Sequence, residues 1–448
     1  MNDYSPFKLI FLTLLFFFSP LTAWAYFDPG FGGYLINSVI SLVVTGTAFI
    51  SAAVIYFFRT IIGQKLFCFC QKHEKTCLIV LLSVLSVGSF FLGSFFHSTF
   101  HKPSGPYSHF SGVHIINPQR MSEGYNLYDG ILIDNKGRIV KQWAMANYGI
   151  LDNNGDFYAN LNGHHPTWGR YTWNDQVIWE KHFSIDHGIY LPAKGSVVVF
   201  TEEPHSYNNY QVNFDVILEF DKNGRQLQRY AFWDHLKEYQ PYHAEFNIDS
   251  SFPAPFGFLK FFMEKRKLYD YFHLNFFSII PPNPLEGKNP AFRPGNWLIS
   301  LLNGSMVFIL DQDTKKILWH MAANDVQGGL QGQHSVSMLP DGNILLFENG
   351  ADRKVSRILM IDPLTLKIKW QYDHLYFTPL NGFVQALPNG NILVTESRKG
   401  HVIELTPDKE IAWDFYKSET STHHLDPEVK IYFMIRYPKK MIDPLLRN

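Results

Sequence analysis

The chain has 448 residues, with 39 Lys plus Arg against 40 Asp plus Glu, a formal net charge of −1, 46% apolar residues and 18% charged ones. That balance excludes a basic surface built for nucleic acid, and the apolar share excludes a disordered chain. The length suffices for two or three units with a sizeable core.

The apolar residues are densest in the first hundred positions. Residues 1–25 read as a signal peptide or signal anchor, because the run Leu9 to Phe18 follows Lys8 and precedes the small-x-small site Ala23-Trp24-Ala25. Residues 34–58 and 77–96 carry no charge, and either stretch is long enough to span a bilayer as a transmembrane helix. The loop between them, 59–76, holds Arg59, Lys65, Lys72 and Lys75 against Glu74 alone, so the positive-inside rule places it in the cytoplasm and everything after residue 97 outside, periplasmic or extracellular. Cys68, Cys70 and Cys77 all fall in or beside this loop. With no fourth ligand at a standard spacing they read as free thiols, and the exported part has no disulfide to rely on.

The remainder is a repeat. An apolar strand, a turn and a strand ending in Trp recur as six phrases that finish at Trp143, Trp179, Trp233, Trp319, Trp370 and Trp413. A second phrase around Leu-Pro-x-Gly-Asn precedes most of them, starting at Leu151, Leu191, Arg293, Leu339 and Leu387. Period-two apolar runs between Gly-containing turns are short antiparallel strands, and four per repeat make a blade. A lone four-stranded sheet cannot bury both faces, but six set radially cover one another, with Trp filling the wedges. The fold class expected is all-β: a six-bladed β-propeller over 111–440, preceded by the N-terminal membrane region with two transmembrane helices. The long gap between the third and fourth copies predicts an insertion at about 236–292 over one face. The tail segment IYFMIRYP is expected to pair with the first blade and close the ring.

Equivalent positions of different blades converge on the axis, so a polar residue recurring in register becomes a cluster. His187 lies four residues before Leu191, His334 five before Leu339, and His273 shortly before the Ile279-Ile280-Pro281 strand. Asn381 holds roughly the same register in the next blade. The adjacent pairs His164-His165 and His423-His424 do not read as metal ligands, since neighbours on a strand point to opposite faces.

Residues 112 to 415 resemble the arylsulfate sulfotransferases, exported bacterial enzymes that move a sulfuryl group between phenols without a nucleotide donor. The resemblance rests on the repeat and on four motifs: Tyr271-Phe272-His273-Leu274-Asn275 followed by GNWLISLLNG, Gln333-His334, Phe347-Glu348-Asn349-Gly350-Ala351-Asp352-Arg353, and His374 ahead of Thr378-Pro379. It implies that His273, His334 and Arg353 line the site and that His374 is transiently sulfated. His187, Asn275, Gln333, Arg357 and Asn381 are further channel-lining candidates. The partners implied are an aryl sulfate donor and a phenolic acceptor, with no metal and no cofactor.

The chemistry suits those residue types. Transfer of a sulfuryl group needs a nucleophile in line with the leaving phenolate and cationic donors for the peripheral oxygens. Neutral imidazole is such a nucleophile near neutral pH, and Arg offers a planar fork of donors. The alternative is a catalytically silent envelope propeller that binds a partner, since one fold hosts many functions. A quinone-dependent dehydrogenase is poorly supported, because neither a vicinal Cys pair nor a carboxylate cluster for Ca²⁺ is evident in the sequence. The topology has a direct check: protease added to intact spheroplasts is expected to digest the propeller and spare the 59–76 loop, and a protected propeller would overturn the exported orientation.

Overall fold

The computed structural model describes residues 112–143, 146–161, 166–192, 195–207, 210–242, 268–417 and 431–447. The signal segment, both apolar spans, the basic loop with its cysteines, His164-His165, His423-His424 and residues 243–267 of the expected insertion lie outside the described residues. No helix among the described residues is long and apolar enough to cross a membrane.

The described chain is an all-β propeller of six blades. After β1 (Gly112–Ile115), the first blade takes β2 (Tyr125–Tyr128), β3 (Ile131–Asp134) and β4 (Ile139–Gln142). The second is β5 (Ala146–Leu151), β6 (Phe157–Leu161), β7 (Thr167–Tyr171) and β8 (Val177–Lys181). The third is β9 (Asp186–Tyr190), β10 (Val197–Tyr207), β11 (Tyr210–Phe220) and β12 (Gln226–Ala231), followed by the short helix α1 (Leu236–Tyr239) and by β13 (Leu268–Asp270), which pairs parallel with β11. The fourth is β14 (Leu274–Ile279), β15 (Trp297–Leu301), β16 (Met306–Leu310) and β17 (Ile317–Met321). The fifth is β18 (Gln333–Met338), β19 (Ile344–Glu348), β20 (Arg357–Ile361) and β21 (Ile368–Tyr372), and the sixth is β22 (Phe383–Ala386), β23 (Ile392–Glu396), β24 (His401–Leu405) and β25 (Ile411–Tyr416). The chain returns as β26 (Ile435–Tyr437) and ends in α2 (Lys439–Ile442).

The ring closes twice. β26 pairs antiparallel with β2 as the innermost strand of the first blade, as the tail segment led us to expect, while β1 pairs with β25 on the outer edge of the last. Leu274–Ile279, which the sequence places inside the insertion, is instead the inner strand of the fourth blade, so the extra segment is shorter than 236–292.

Burial follows from the geometry. Six apolar clusters each fill one wedge between neighbouring blades: Trp168 with Val199 between the second and third, for example, and Phe308 with Phe214 between the fourth and third. Each fully buried side chain of this kind contributes about 1.5–3 kcal/mol relative to exposure.

The repeated Trp has a polar role as well. Its indole N–H donates to a turn carbonyl of the next blade: Trp179 to Lys222 at 3.0 Å, Trp319 to Pro363 at 3.1 Å, Trp370 to Pro407 at 2.8 Å and, across the closure, Trp413 to Asn135 at 2.9 Å. The accepting turns are held open by the residue just before each acceptor. Asp134, Asp221 and Asp362 take two backbone N–H groups apiece, and the Thr406 hydroxyl takes one from Glu410. Gly224 is required in its turn on two counts, its left-handed φ of 79° and the 2.8 Å that would separate a Cβ from Trp179 Cδ2.

Trp413 is fully buried and its acceptor is enclosed, whereas Trp370 donates at an exposed edge. Trp413→Phe is therefore expected to cost about 1–3 kcal/mol in denaturant unfolding, by stranding the Asn135 carbonyl, and Trp370→Phe less than about 1 kcal/mol. Equal losses would show that the indole bond adds nothing beyond apolar packing.

Candidate active site

The inner strands of the third to sixth blades each have, within three residues of their start, a residue twisted into the left-handed region: His187 at φ 54°, His273 at 54°, Ser335 at 53° and Asn381 at 56°. Such backbone is uncommon for residues other than Gly and concentrates where a side chain must be aimed. Here it turns the start of each strand towards the axis. Side chains of one inner strand then bond the backbone of the next: Asn275 Nδ2 donates to Gln333 O at 2.6 Å, Ser278 Oγ to Val336 O at 3.0 Å, and Ser335 Oγ to Val384 O at 3.0 Å.

Three imidazoles meet at one end of the channel. His187 Nε2 and His273 Nε2 are 3.0 Å apart, and the His187 and His334 rings lie 6.1 Å apart, centre to centre. Asp270, three residues ahead of His273, bonds its Nδ1 at 2.5 Å. Asn349 Oδ1 bonds His334 Nδ1 at 2.6 Å, and the orientation of that amide is set by its own N–H groups, which donate to Thr378 O at 2.6 Å and Asn381 O at 2.8 Å. An oxygen at that position accepts only, so His334 carries its proton on Nδ1 and keeps the lone pair on Nε2.

The charges are unequal. Burial works against a charge on His273, but Asp270, by charge and hydrogen bond, with Asp186 and Asp215 behind it, pushes the group up to about 10. Burial, reinforced by positive His273, pushes His187 down to about 3, and burial with the neighbouring His187 does the same for His334. One cation thus stands behind two neutral imidazoles.

These groups cap a cavity of about 990 Å³ that runs down the channel to the Leu191-Pro192 and Leu339-Pro340 turns. Its wall is aromatic. Ring centres of Tyr190 and Phe276 are 5.2 Å apart, of Phe276 and Phe383 6.1 Å, and of Phe383 and Phe433 5.5 Å. A flat ring therefore finds apolar surface in the same cavity as a neutral imidazole.

Of the residues expected at the site, His187, His334, Asn275 and Asn381 line this cavity, and His273 stands behind His187. The others are elsewhere. Gln333 is fully buried and donates at 3.0 Å to Ser300 Oγ, Leu301 O and Met306 O, which ties the fifth blade to the fourth. Arg353 and Arg357 both close on the buried carboxylate of Glu348, Arg357 Nε at 2.5 Å, and each also donates at 3.0 Å to a carbonyl of the Gly328-Gly329 turn. They brace the loop that carries Asn349 and do not reach the cavity. His374 is not brought to the cluster. Its side chain is 79% exposed, beside Asp373 and the edge of Tyr372, while the next residue, Leu375, takes the buried place between the fifth and sixth blades.

Asp270 and Asn349 are the functional partners that sequence reasoning missed. Each had a signal: Asp270 sits three residues before His273, and Asn349 follows the strand residue paired with Gln333. In imidazole ¹⁵N NMR, His334 is expected to stay neutral with Nδ1 protonated from pH 8 down to below 5. Because the unfolded chain takes up that proton near 6.5, the contribution of this group to stability falls as pH drops from there towards 3. Titration of His334 near 6.5 would contradict the burial and the Asn349 bond.

The arylsulfotransferase (ASST) family model matches residues 150–418, more than half of the chain. No curated protein matches. Similar solved structures include a protein of unknown function from Bacteroides caccae, at 12% identity over 70% of this chain and 99% of that one with a TM-score of 0.43. A virginiamycin B lyase from Staphylococcus aureus is similar at 11% identity over 68% and 74%, with a TM-score of 0.31. The match that spans the second to sixth blades, with every histidine of the cluster inside it, is the one that assigns the chain: it belongs to the arylsulfotransferase (ASST) family.

Proposed function

We propose that the chain is a membrane-anchored arylsulfotransferase that passes a sulfuryl group from an aryl sulfate to a phenol by way of sulfated His334. The observation that carries this reading is the free Nε2 of His334 at the head of an aromatic cavity, with its other nitrogen held by Asn349. The uncharged stretches 34–58 and 77–96 and the basic loop between them support the anchoring and an outward-facing propeller.

In the first half-reaction His334 Nε2 attacks the sulfur of the donor. The N–S bond forms, the S–O bond to the ring breaks, and the departing phenolate takes a proton from the hydrogen-bonded pair of His187 and His273. In the second the same pair removes the proton of the incoming phenol, whose oxygen forms the new S–O bond as the N–S bond breaks. The positive charge of His273, behind His187, offsets the negative charge that is concentrated on the peripheral oxygens of the sulfuryl group. Aromatic walls hold both phenols and keep water from the sulfated intermediate.

This moves the nucleophile from His374, where the family motif put it, to a nitrogen inside the channel. Incubation with p-nitrophenyl sulfate and no acceptor is expected to leave one sulfuryl group on the peptide containing His334. His334→Ala abolishes turnover, His187→Ala slows it by about 10²–10⁴-fold, and His374→Ala stays close to wild type. A label on His374 would restore the motif's assignment, and wild-type protein that neither turns over nor labels would favour the silent, partner-binding propeller.

A further inference from the structure

The hairpin of β10 and β11 extends beyond the reach of β9 and β12, and β13 adds to its outer part. There Glu202 stands directly opposite Asp215 in the β10–β11 register, and Asp270 stands opposite Asn213. One carboxylate oxygen of Glu202, Asp215 and Asp270 lies within 4.8 Å of the other two. Like charges facing each other across a strand pair destabilise the sheet unless something neutralises them.

Among the described residues no Lys or Arg bonds any of the three. Arg229 is taken by Glu203 and Asp234, and His205 by Glu203 at 3.0 Å. Of the three carboxylates His273 bonds only that of Asp270. Asp215 adds a separate observation. The residue is only 2% exposed, its Oδ1 accepts the Leu274 N–H at 3.0 Å, and its Oδ2 has no hydrogen-bond partner among the described residues. A buried carboxylate oxygen left bare is among the least tolerated groups in a folded protein.

We propose that Glu202, Asp215 and Asp270 bind a calcium ion. Donors that are all carboxylate oxygens select a hard cation, and Ca²⁺ bonds oxygen at about 2.3–2.6 Å in irregular geometries, so its ligand atoms sit at most about 5 Å apart. The three oxygens meet that limit as they stand. Asn213 Nδ2, donating to Glu202 Oε2 at 2.6 Å, fixes one ligand, and the Leu274 N–H fixes another. The ion fastens β13 to the hairpin and holds Asp270, which orients His273, so it acts as a positioning element behind the histidines. The assignment does not depend on the sulfuryl-transfer reading.

The test uses the purified full-length chain, stripped with chelator and titrated with CaCl₂ by calorimetry, with Tb³⁺ luminescence sensitised through Tyr271, next to Asp270, as a second readout. One saturable site at or below about millimolar Ca²⁺ is expected, with a rise in Tm. Asp215→Asn and Glu202→Gln are expected to weaken binding by at least about tenfold and to remove the calcium-dependent part of the rise. Should Asp215→Asn fail to fold, Glu202→Gln carries the comparison, since Glu202 is far more exposed than Asp215. Absence of saturable binding in the wild type overturns the site, as does binding that both variants leave unchanged.

Discussion

The interaction on which the structure depends is the contact between one blade's outer strand and the next blade's turn. A β-sheet of four short strands has two apolar faces and no means of covering either, so the ring exists only if each wedge is both filled and held in register. Apolar packing fills it without choosing a register. The indole of Trp179, Trp319, Trp370 or Trp413 supplies the choice, since its single N–H meets one carbonyl of a turn whose shape is set by a preceding Asp or Thr. Where that bond is not made, apolar contacts stand in: Trp143 stacks on Phe157 of the second blade and meets Trp173 edge-on, and Trp233 packs against the cluster between the third and fourth blades.

Fixing the rim fixes the hub. Once the blades cannot rotate against each other, the inner strands must approach closely, and only short polar side chains fit between them. Asn275, Ser278 and Ser335 take these places and bond the neighbouring backbone. The twisted residues at the strand starts are held by the same framework, which is how a left-handed His187 or His273 is tolerated. Polar groups are thereby gathered at one end of a channel that is otherwise aromatic, and the low polarity of that wall is what keeps His187 and His334 uncharged.

The fold was legible because its signal is repetitive: each Trp-ended phrase is weak, but six in order leave few architectures open. The convergence of His187, His273 and His334 was legible for the same reason, since blade register converts distance along the chain into neighbourhood. What the repeat does not encode is where a side chain between two blade elements turns. His374 and Arg353 belong to connecting loops, and there local competition decides: Glu348 captures the guanidinium, and Leu375 rather than His374 is buried between the blades. The acidic group of Glu202, Asp215 and Asp270 was invisible for a related reason. Its members come from an over-long hairpin and an added parallel strand, features of one blade alone that no periodicity announces.

The double closure has a consequence for how the molecule is made. The inner strand of the first blade is β26, whose residues lie some three hundred positions from its partner β2, and the outer edge of the last blade is β1. The first blade is therefore built last. Until the segment Ile435–Tyr437 is synthesised, Asn126 and Leu127 face an empty place in their sheet, and the preceding blades have a rim without a finished hub. Pairings across so long a loop are slow to find, because the chain loses much of its freedom before the contact rewards it. A nascent chain of this kind exposes an unpaired inner edge throughout its synthesis, which makes it a natural client for chaperones that shield β-strands. Once both ends are zipped, the same long-range pairing works in reverse: neither end can fray without disrupting a blade that the opposite end of the chain helped to complete.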